Sequence, residues 1–591
     1  MANLISPGYN RSTLISQTLA PVEERCLEFK GLNKRKVVEE GEMSDMKNLT
    51  SDDYPVLSPR KPRGEMELPE GVVLPLRIMA RYEKIALIAR DDEDQINFYF
   101  DGVKVPEVDD LTYDSQMVAI NTKICFFPQK TCISVLQTAT SASIVVGSYK
   151  SLEESATLSG TAVTISNTDC RITLPGLKAF AYDDAINISG TLSYTSEGTA
   201  KTMECTVSCL IEEVIQDTAN QTTELVLPRE TFIELTGEGA ASNPITLTGE
   251  ISRTMPDLDY VMEWNNRLWG ASSEDNTIYA CKLGDPTNWQ YYQGLSLDSY
   301  YAQQGTDGHW TGCAAHSSHA IFFKQNSMAR IYGSSPSTWQ ISNMQCFGVE
   351  EGSDRSVVVI NDSVFYKSKI GIMVYEGGTP YCISDKFNAT FRNVVGATEG
   401  NKYYASIQSG DGFPLMVLDI ELGVWHKEDN SRMIGTCAIG NRLYFINHAG
   451  ESIKCGETDA ITSEWLPCGH GAASSGTVQI VNPVNATEKA SEMEWMAQFG
   501  PFDEFLENRK IYSRILMRLI RSAESSVKVY ISENEGPWEL VNEFDPATTG
   551  GDYIPIIPRR CDRYSIKIVG TGKCSIKSLT RKVRRGTGGR L

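Results

Sequence analysis

The feature that most narrows what this 591-residue chain can fold into is a strand pattern repeated between residues 260 and 469. An apolar or aromatic pair is followed by a polar break and then by a second short strand ending in a turn. Arg267-Leu268-Trp269 leads to Thr277-Ile278-Tyr279-Ala280 and Gly284-Asp285-Pro286-Thr287-Asn288-Trp289. Ala320-Ile321-Phe322-Phe323 leads to Ala329-Arg330-Ile331-Tyr332 and Ser335-Pro336-Ser337-Thr338-Trp339. Asp362-Ser363-Val364-Phe365-Tyr366 leads to Ile372-Met373-Val374-Tyr375, and Lys402-Tyr403-Tyr404-Ala405 leads to Leu415-Met416-Val417-Leu418; Arg442-Leu443-Tyr444-Phe445 opens one more unit.

The markers Trp269, Phe322, Phe365, Tyr404 and Tyr444 recur every roughly 40 to 50 residues, the period of four-stranded propeller blades. A unit of that size cannot bury its own apolar face, so neighbours must stack about a shared axis. A large irregular β-sandwich also uses many short strands, but it would not set an aromatic pair and a turn at matching phases. The expected class is therefore all-β: a β-propeller of about seven blades with an inserted β domain and a C-terminal β-sandwich or platform.

Residues 1–65 read as an extended N-terminal arm, because Pro55, Pro59, Pro62 and Gly64 break regular elements and apolar residues are sparse. Such an arm suits a strap across a surface or a neighbouring subunit. Residues 66–137 hold the first blades, with the hairpin of Lys84-Ile85-Ala86-Leu87-Ile88-Ala89 and Ile96-Asn97-Phe98-Tyr99-Phe100. Over 138–244 the phase is lost in Ser/Thr-rich sequence that includes Ser143-Ile144-Val145-Val146. This is the expected inserted domain, since loops on one face tolerate insertions. Residues 245–475 carry the remaining blades. Residues 476–591 form the platform with its basic tail, where Ser513-Arg514-Ile515-Leu516-Met517-Arg518-Leu519-Ile520 alternates as a strand with one wet face does.

Charge is distributed unevenly. From residue 559 to the end, eleven Lys or Arg face a single acid, Asp562; that segment is +10, so the remainder carries -30 of the formal -20 total. An acidic body does not wrap nucleic acid, because phosphate binding is driven by charge neutralisation. It could line a passage that a duplex slides through. The fifteen cysteines show no Cys-x-x-Cys spacing and read as buried reduced thiols rather than a disulfide framework. Residues 1–20 lack the apolar core of a signal peptide, and no run approaches a membrane span.

No phosphate loop, Gly-x-Ser-x-Gly or His-Glu-x-x-His occurs. The turns at Gly284 and Ser335 resemble the Asp-box turns of sialidase-like propellers, which are structural even in enzymes. His316 and His319 lie three apart without an obvious third ligand, and Cys468-Gly469-His470 is a weaker metal candidate still. No cofactor, metal or catalytic residue is expected. The cluster that merits a role is basic: Arg581, Lys582, Arg584 and Arg585, with Arg60, Lys61 and Arg63 as a smaller partner. It reads either as a solubilising tail or as a contact to an acidic protein or to DNA at a channel wall.

Phe29-Lys30-Gly31-Leu32-Asn33, then Ser44-Asp45-Met46-Lys47-Asn48-Leu49-Thr50-Ser51-Asp52-Asp53-Tyr54-Pro55 and Ser58-Pro59-Arg60-Lys61-Pro62-Arg63-Gly64, resemble the arm of tail nozzle or hub proteins of short-tailed bacteriophages, also called packaged-DNA stabilisation proteins. Trp264-Asn265-Asn266-Arg267-Leu268-Trp269-Gly270 adds to that resemblance, which spans nearly the whole chain. It implies a structural virion protein, assembled in the host cytoplasm, in a homo-oligomeric ring that is commonly a hexamer. The ring would lie below portal and adaptor, beside tail fibre or spike proteins. It would retain the packaged genome and touch the duplex only transiently and non-specifically during ejection. The alternative is a carbohydrate- or receptor-binding propeller at the tail tip.

Overall fold

The computed structural model describes residues 22–137, 144–196, 199–236, 245–410, 412–449, 475–502, 510–544, 553–554 and 559–585. These residues are almost entirely β, and no helix among them is long and apolar enough to cross a membrane. Seven four-stranded antiparallel sheets recur, six of them meanders of consecutive strands and the seventh a three-strand meander with one strand added from earlier in the chain. In chain order their first strands are Val72–Arg81, Gln116–Ile120, Tyr260–Trp264, Trp310–Ala315, Val358–Ile360, Arg392–Glu399 and Met433–Ile439.

The hydrophobic pattern explains how the seven sheets associate. In the second strand of the second sheet, Lys123–Phe127, Ile124 and Phe126 pack on the first sheet, while Cys125 and Phe127 pack on the third. Successive side chains point to opposite faces, so a strand apolar at both parities must be covered twice. The same holds for Ala320–Lys324 and Gly371–Tyr375, buried at every position. One shared core joins sheets three and four through Trp269, Phe322 and Trp339, another joins four and five through Phe323 and Tyr366, and another joins six and seven through Tyr404 and Phe445. The seventh sheet in turn packs on the first through Ile446, Val478, Leu87 and Tyr99, so the order is cyclic. Four of the five sequence markers are buried, Tyr444 is half-buried, and all five sit on the second strand of a sheet. The turn between first and second strands repeatedly uses Asn or Gly at positive φ, at Asn121, Asn265, Asn361, Gly400 and Gly440, as tight hairpins demand.

The seventh sheet is completed from the other end of the chain. Gly64–Met66 pairs as its outer strand, with Val478 opposite Met66 and Ile480 opposite Gly64. Residues 22–63, expected as an extended arm, are likewise laid across the chain itself. Val22–Cys26 pairs with Cys574–Arg585, and Glu42–Lys47 pairs with Glu494–Phe502. Those strands join two C-terminal sheets that face each other over one core. Ile515, Met517, Ile576 and Leu579 from one sheet meet Val527, Val529, Ile566 and Trp495 from the other.

Between the second and third four-stranded sheets lies a separate seven-stranded sheet running from Glu154–Ile165 to Ile245–Arg253. Its core includes Phe232 from the short helix Glu230–Thr236. These limits differ from the sequence-based 138–244. Ile144–Ser151 is the outer strand of the second sheet, and its partial exposure explains a Ser-containing, weakly apolar sequence. Ile245–Arg253 is a central strand between Glu154–Ile165 and Ala185–Ser196. It crosses the latter at Gly190 and Gly249, where a Cβ on Gly190 would lie 2.3 Å from the Thr248 carbonyl oxygen.

Candidate functional site

The first strands of all seven sheets line one cavity of about 920 Å³ on the axis of the cycle, with Ile78, Met117, Tyr260, Trp310, Val358, Val395 and Ile434 each contributed by a different sheet. Its polar lining carries both signs of charge. Asp259, Glu351 and Asp354 surround Tyr260, whose phenol is pushed up by burial and then by Asp354 and Asp259. Asp259 accepts the Ser273 N–H at 2.7 Å, and Glu351 accepts a Gln325 amide hydrogen at 3.1 Å. Interleaved with these acids and with Asp114 stand two half-buried guanidiniums, Arg77 and Arg355, the latter next in sequence to Asp354. Arg77 is pushed down to about 9 by burial first and then by Arg355, against opposing pulls from Asp354 and Asp114.

Local structure fixes Arg355 in place. It lies on the single 3₁₀ turn Asp354–Ser356. That turn is anchored where the Ser356 hydroxyl donates to the Ser353 carbonyl at 2.5 Å and the Tyr403 hydroxyl donates to the Ser356 carbonyl at 3.1 Å. Gly396 makes the approach possible, since a Cβ there would meet the Ser356 carbonyl oxygen at 2.7 Å. From this turn Arg355 Nη1 reaches across to donate to the Ile434 carbonyl at 3.1 Å. Sequence reasoning missed both arginines. The available signal was a lone cation inside or just before an apolar strand, as in Leu74-Pro75-Leu76-Arg77-Ile78 and Arg355-Ser356-Val357-Val358-Val359.

The basic residues singled out from sequence sit elsewhere, and their placement corrects the expectation of an outward-facing cluster. Arg60 and Arg63 are buried. Arg60 donates from Nη1 and Nη2 to the two Glu488 oxygens at 2.7 and 3.0 Å and from Nε to Asn48 Oδ1 at 2.9 Å. Arg63 donates to Glu428 at 2.6 Å, Asp429 at 2.8 Å and Gln479 at 3.0 Å. Burial alone would lower the Arg63 pKa, but Asp429 and Glu428 outweigh it and the net shift is upward. Between them the two arginines tie the N-terminal segment to the outer strand of the sixth sheet and to Ser475–Val481 of the seventh. Lys61 is exposed, with Asp52 3.6 Å away.

Residues 581–585 belong to a strand paired along its length with Lys510–Arg521 and, from Leu579 to Val583, with Val22–Cys26 on its other side, not to a loose tail. Arg581 is 2 % exposed and holds Glu40 with both terminal nitrogens, with Phe502 under its guanidinium at 3.7 Å. Lys582 is half-buried on the opposite face. The side chains of Arg584 and Arg585 lie outside the described residues, as do Cys468, Gly469 and His470.

His319 is buried, its Nε2 3.0 Å from the Tyr375 hydroxyl and its ring stacked on Tyr332. His316 Nε2 lies 3.0 Å from the Asp362 carbonyl. Both imidazoles thus serve the joint between sheets four and five. The Gly284 turn is a bracket as well. Asp285 accepts from Thr287 Oγ1 at 2.7 Å and Asn288 Nδ2 at 2.5 Å, while Asn288 Oδ1 accepts the Ala185 N–H of the seven-stranded domain at 2.8 Å.

No family model matches the chain, and no curated protein matches it. Similar solved structures include Hsv2 of Kluyveromyces lactis with loop 6CD replaced by a Gly-Ser linker, at 12% identity over 33% of this chain and 65% of that one, TM-score 0.24. The chain thus spans just under two thirds of that protein's length. The phage phi92 endosialidase is similar at 10% identity over 82% and 74%, TM-score 0.24. PorZ, a surface component of the type-IX secretion system of Porphyromonas gingivalis, is similar at 11% identity over 89% and 78%, TM-score 0.25.

Proposed function

We propose that the seven sheets are the blades of a propeller and that the protein is a structural, non-catalytic subunit of a short-tailed phage tail, a nozzle or hub ring around the DNA-exit channel. The observation that carries this is the placement of the arm. The segments that carry the sequence resemblance knit the cycle of sheets to the C-terminal sandwich: the Phe29 ring packs at a tilt on Phe499, centroids 5.8 Å apart, Met43 and Met46 enter the sandwich core, and Arg60 and Arg63 bind the sixth and seventh sheets. A wall subunit that must resist a packed genome needs its domains fixed to one another, and buried ion pairs and shared cores do that. The acidic body would keep a passing duplex from adhering.

Electron microscopy of the purified protein, and of a particle containing it, tests the proposal. Rings with an axial pore are expected at the tail, about six copies each in keeping with closed cyclic symmetry. A monomer that never enters particles would end it.

A second function, carbohydrate recognition, is favoured by one surface feature. Tyr292 and Tyr301 are 46% and 60% exposed beside each other, with ring centroids 5.8 Å apart, on the outer edge of the third sheet. Glycan-array binding abolished by Tyr301→Ala would select it.

A further inference from the structure

We propose that the axial cavity is a binding site for a small ligand carrying an oxyanion, a carboxylate or phosphate, gripped between Arg77 and Arg355. The proposal rests on the cyclic arrangement of the sheets and is independent of any place in a virion.

Three observations converge on it. First, both guanidiniums line the same cavity; Asp354 and Asp114 on that wall pull on Arg77, but among the described residues no carboxylate is in salt-bridge contact with either arginine. Among the described residues their guanidinium hydrogen bonds go to main-chain carbonyls, Arg77 Nη1 to Leu76 at 3.1 Å and Arg355 Nη1 to Ile434 at 3.1 Å. The planar fork of each matches two-point recognition of carboxylate or phosphate. Second, the two cations come together on one part of the wall. Arg355 ends on the seventh sheet at Ile434; the next residue, Gly435, lies against Ile78, the neighbour of Arg77. Burial and Arg355 disfavour the charged Arg77 guanidinium, Asp354 and Asp114 offset this only in part, and an anion between the two arginines relieves what remains. Third, the site is preorganised. The Ser353, Ser356 and Tyr403 hydrogen bonds and the Gly396 contact hold the 3₁₀ turn before any ligand arrives.

The remaining lining refines the ligand class. Asp259 and Glu351 act on Tyr260, and Asp354 acts on both Tyr260 and Arg77. A ligand with a protonated amine as well as an oxyanion would satisfy both signs of charge on the wall, whereas a bare dianion would meet the carboxylates unfavourably.

Isothermal titration calorimetry of the full-length protein at low salt tests this with inorganic phosphate, ethyl phosphate and phosphoethanolamine, chloride serving as the reference anion. One saturable site per chain is expected, with phosphoethanolamine binding more tightly than ethyl phosphate. Arg77→Gln and Arg355→Gln should each weaken it at least about tenfold, the loss of one charge-assisted contact, and exposed Arg25→Gln should leave it unchanged. Arg77→Lys and Arg355→Lys keep the charge but not the fork; they provide folded comparisons if a glutamine variant is unstable, and they should also bind more weakly. Absence of saturable heat with all three probes, or binding indifferent to both arginines, would overturn the site. Equal affinity for ethyl phosphate and phosphoethanolamine would overturn the assigned role of Asp259 and Glu351. Failure to form rings would bear on neither result.

Discussion

Arg581 and Glu40 meet fork to fork, Nη1 to Oε1 at 2.9 Å and Nη2 to Oε2 at 2.8 Å, joining the chain's last described strand to a residue that precedes the first four-stranded sheet. The contact shows what the basic C-terminal segment does within the chain: it fastens the two C-terminal sheets to the N-terminal segment.

Deleting residues 581–591 should therefore destabilise the isolated protein and not only an assembly. The cut removes the pairs Arg581 to Glu24 and Val583 to Val22, along with the Arg581 fork. Deleting 586–591 leaves those pairs in place. A fall of several degrees in the melting temperature for the longer deletion, and little change for the shorter, is the expected pattern in a thermal scan.

Arg63→Ala should cost about 3–5 kcal/mol, the usual penalty for breaking a buried ion pair, because Glu428 and Asp429 lose their nearest cation and keep only the longer contacts to Arg60 at 3.8 and 3.3 Å. Arg60→Ala strands Glu488 in the same way but with a more accessible carboxylate, so a smaller loss is expected. Urea unfolding of each variant measures both.

Two buried imidazoles set an acid limit. Burial, then His316 and Arg330, push His319 down to about 4; burial, then Lys402, push His426 down to about 3. Both folded values lie below the unfolded value near 6.5. The unfolded state therefore takes up protons that the native state refuses, and stability falls as pH drops from about 6.5 towards 4 and then 3. Lowering the pH from 7 to 4.5 should cost on the order of 1–3 kcal/mol per histidine, and His319→Gln with His426→Leu should flatten that slope in pH-dependent urea unfolding. The same carboxylates that hold Arg60 and Arg63, Glu488 and Asp429, are depressed by their arginines despite opposing burial. Their contribution survives above the ordinary carboxylate range and is lost only as pH falls through their lowered folded values.

Asn288→Ala should loosen the seven-stranded domain from the third sheet. It removes the acceptor for the Ala185 N–H and a donor to Asp184, which also receives Arg253. A cost of about 1–3 kcal/mol follows from leaving buried groups unsatisfied. Faster amide exchange over residues 185–196, with the second sheet unchanged, is the expected readout.

The period of the aromatic markers was legible because each marked strand is buried on both faces, and a doubly covered strand announces itself as an unbroken apolar run. Outer strands such as Ile144–Ser151 are half wet and lose that signature, so the boundary of the inserted domain shifted. Arg60, Arg63 and Arg581 were visible as charges, but their counter-ions lie hundreds of positions away; nothing in Ser58-Pro59-Arg60-Lys61-Pro62-Arg63 announces Glu428 or Glu488. The axial arginines were hidden for the opposite reason. Arg77 stands among apolar residues and Arg355 in a polar turn just before an apolar strand, and only closure of the cycle brings them to one wall.

The outer strand Gly64–Met66 has a consequence for synthesis. It leaves the ribosome early, but its partner Ser475–Val481 is made about 400 residues later. At about 5–20 residues per second the nascent segment waits tens of seconds with an open hydrogen-bonding edge. Translation speed and chaperone cover over that interval thus govern how much chain reaches the native state, and a transplanted copy of residues 22–66 supplied in trans would compete for the vacancy.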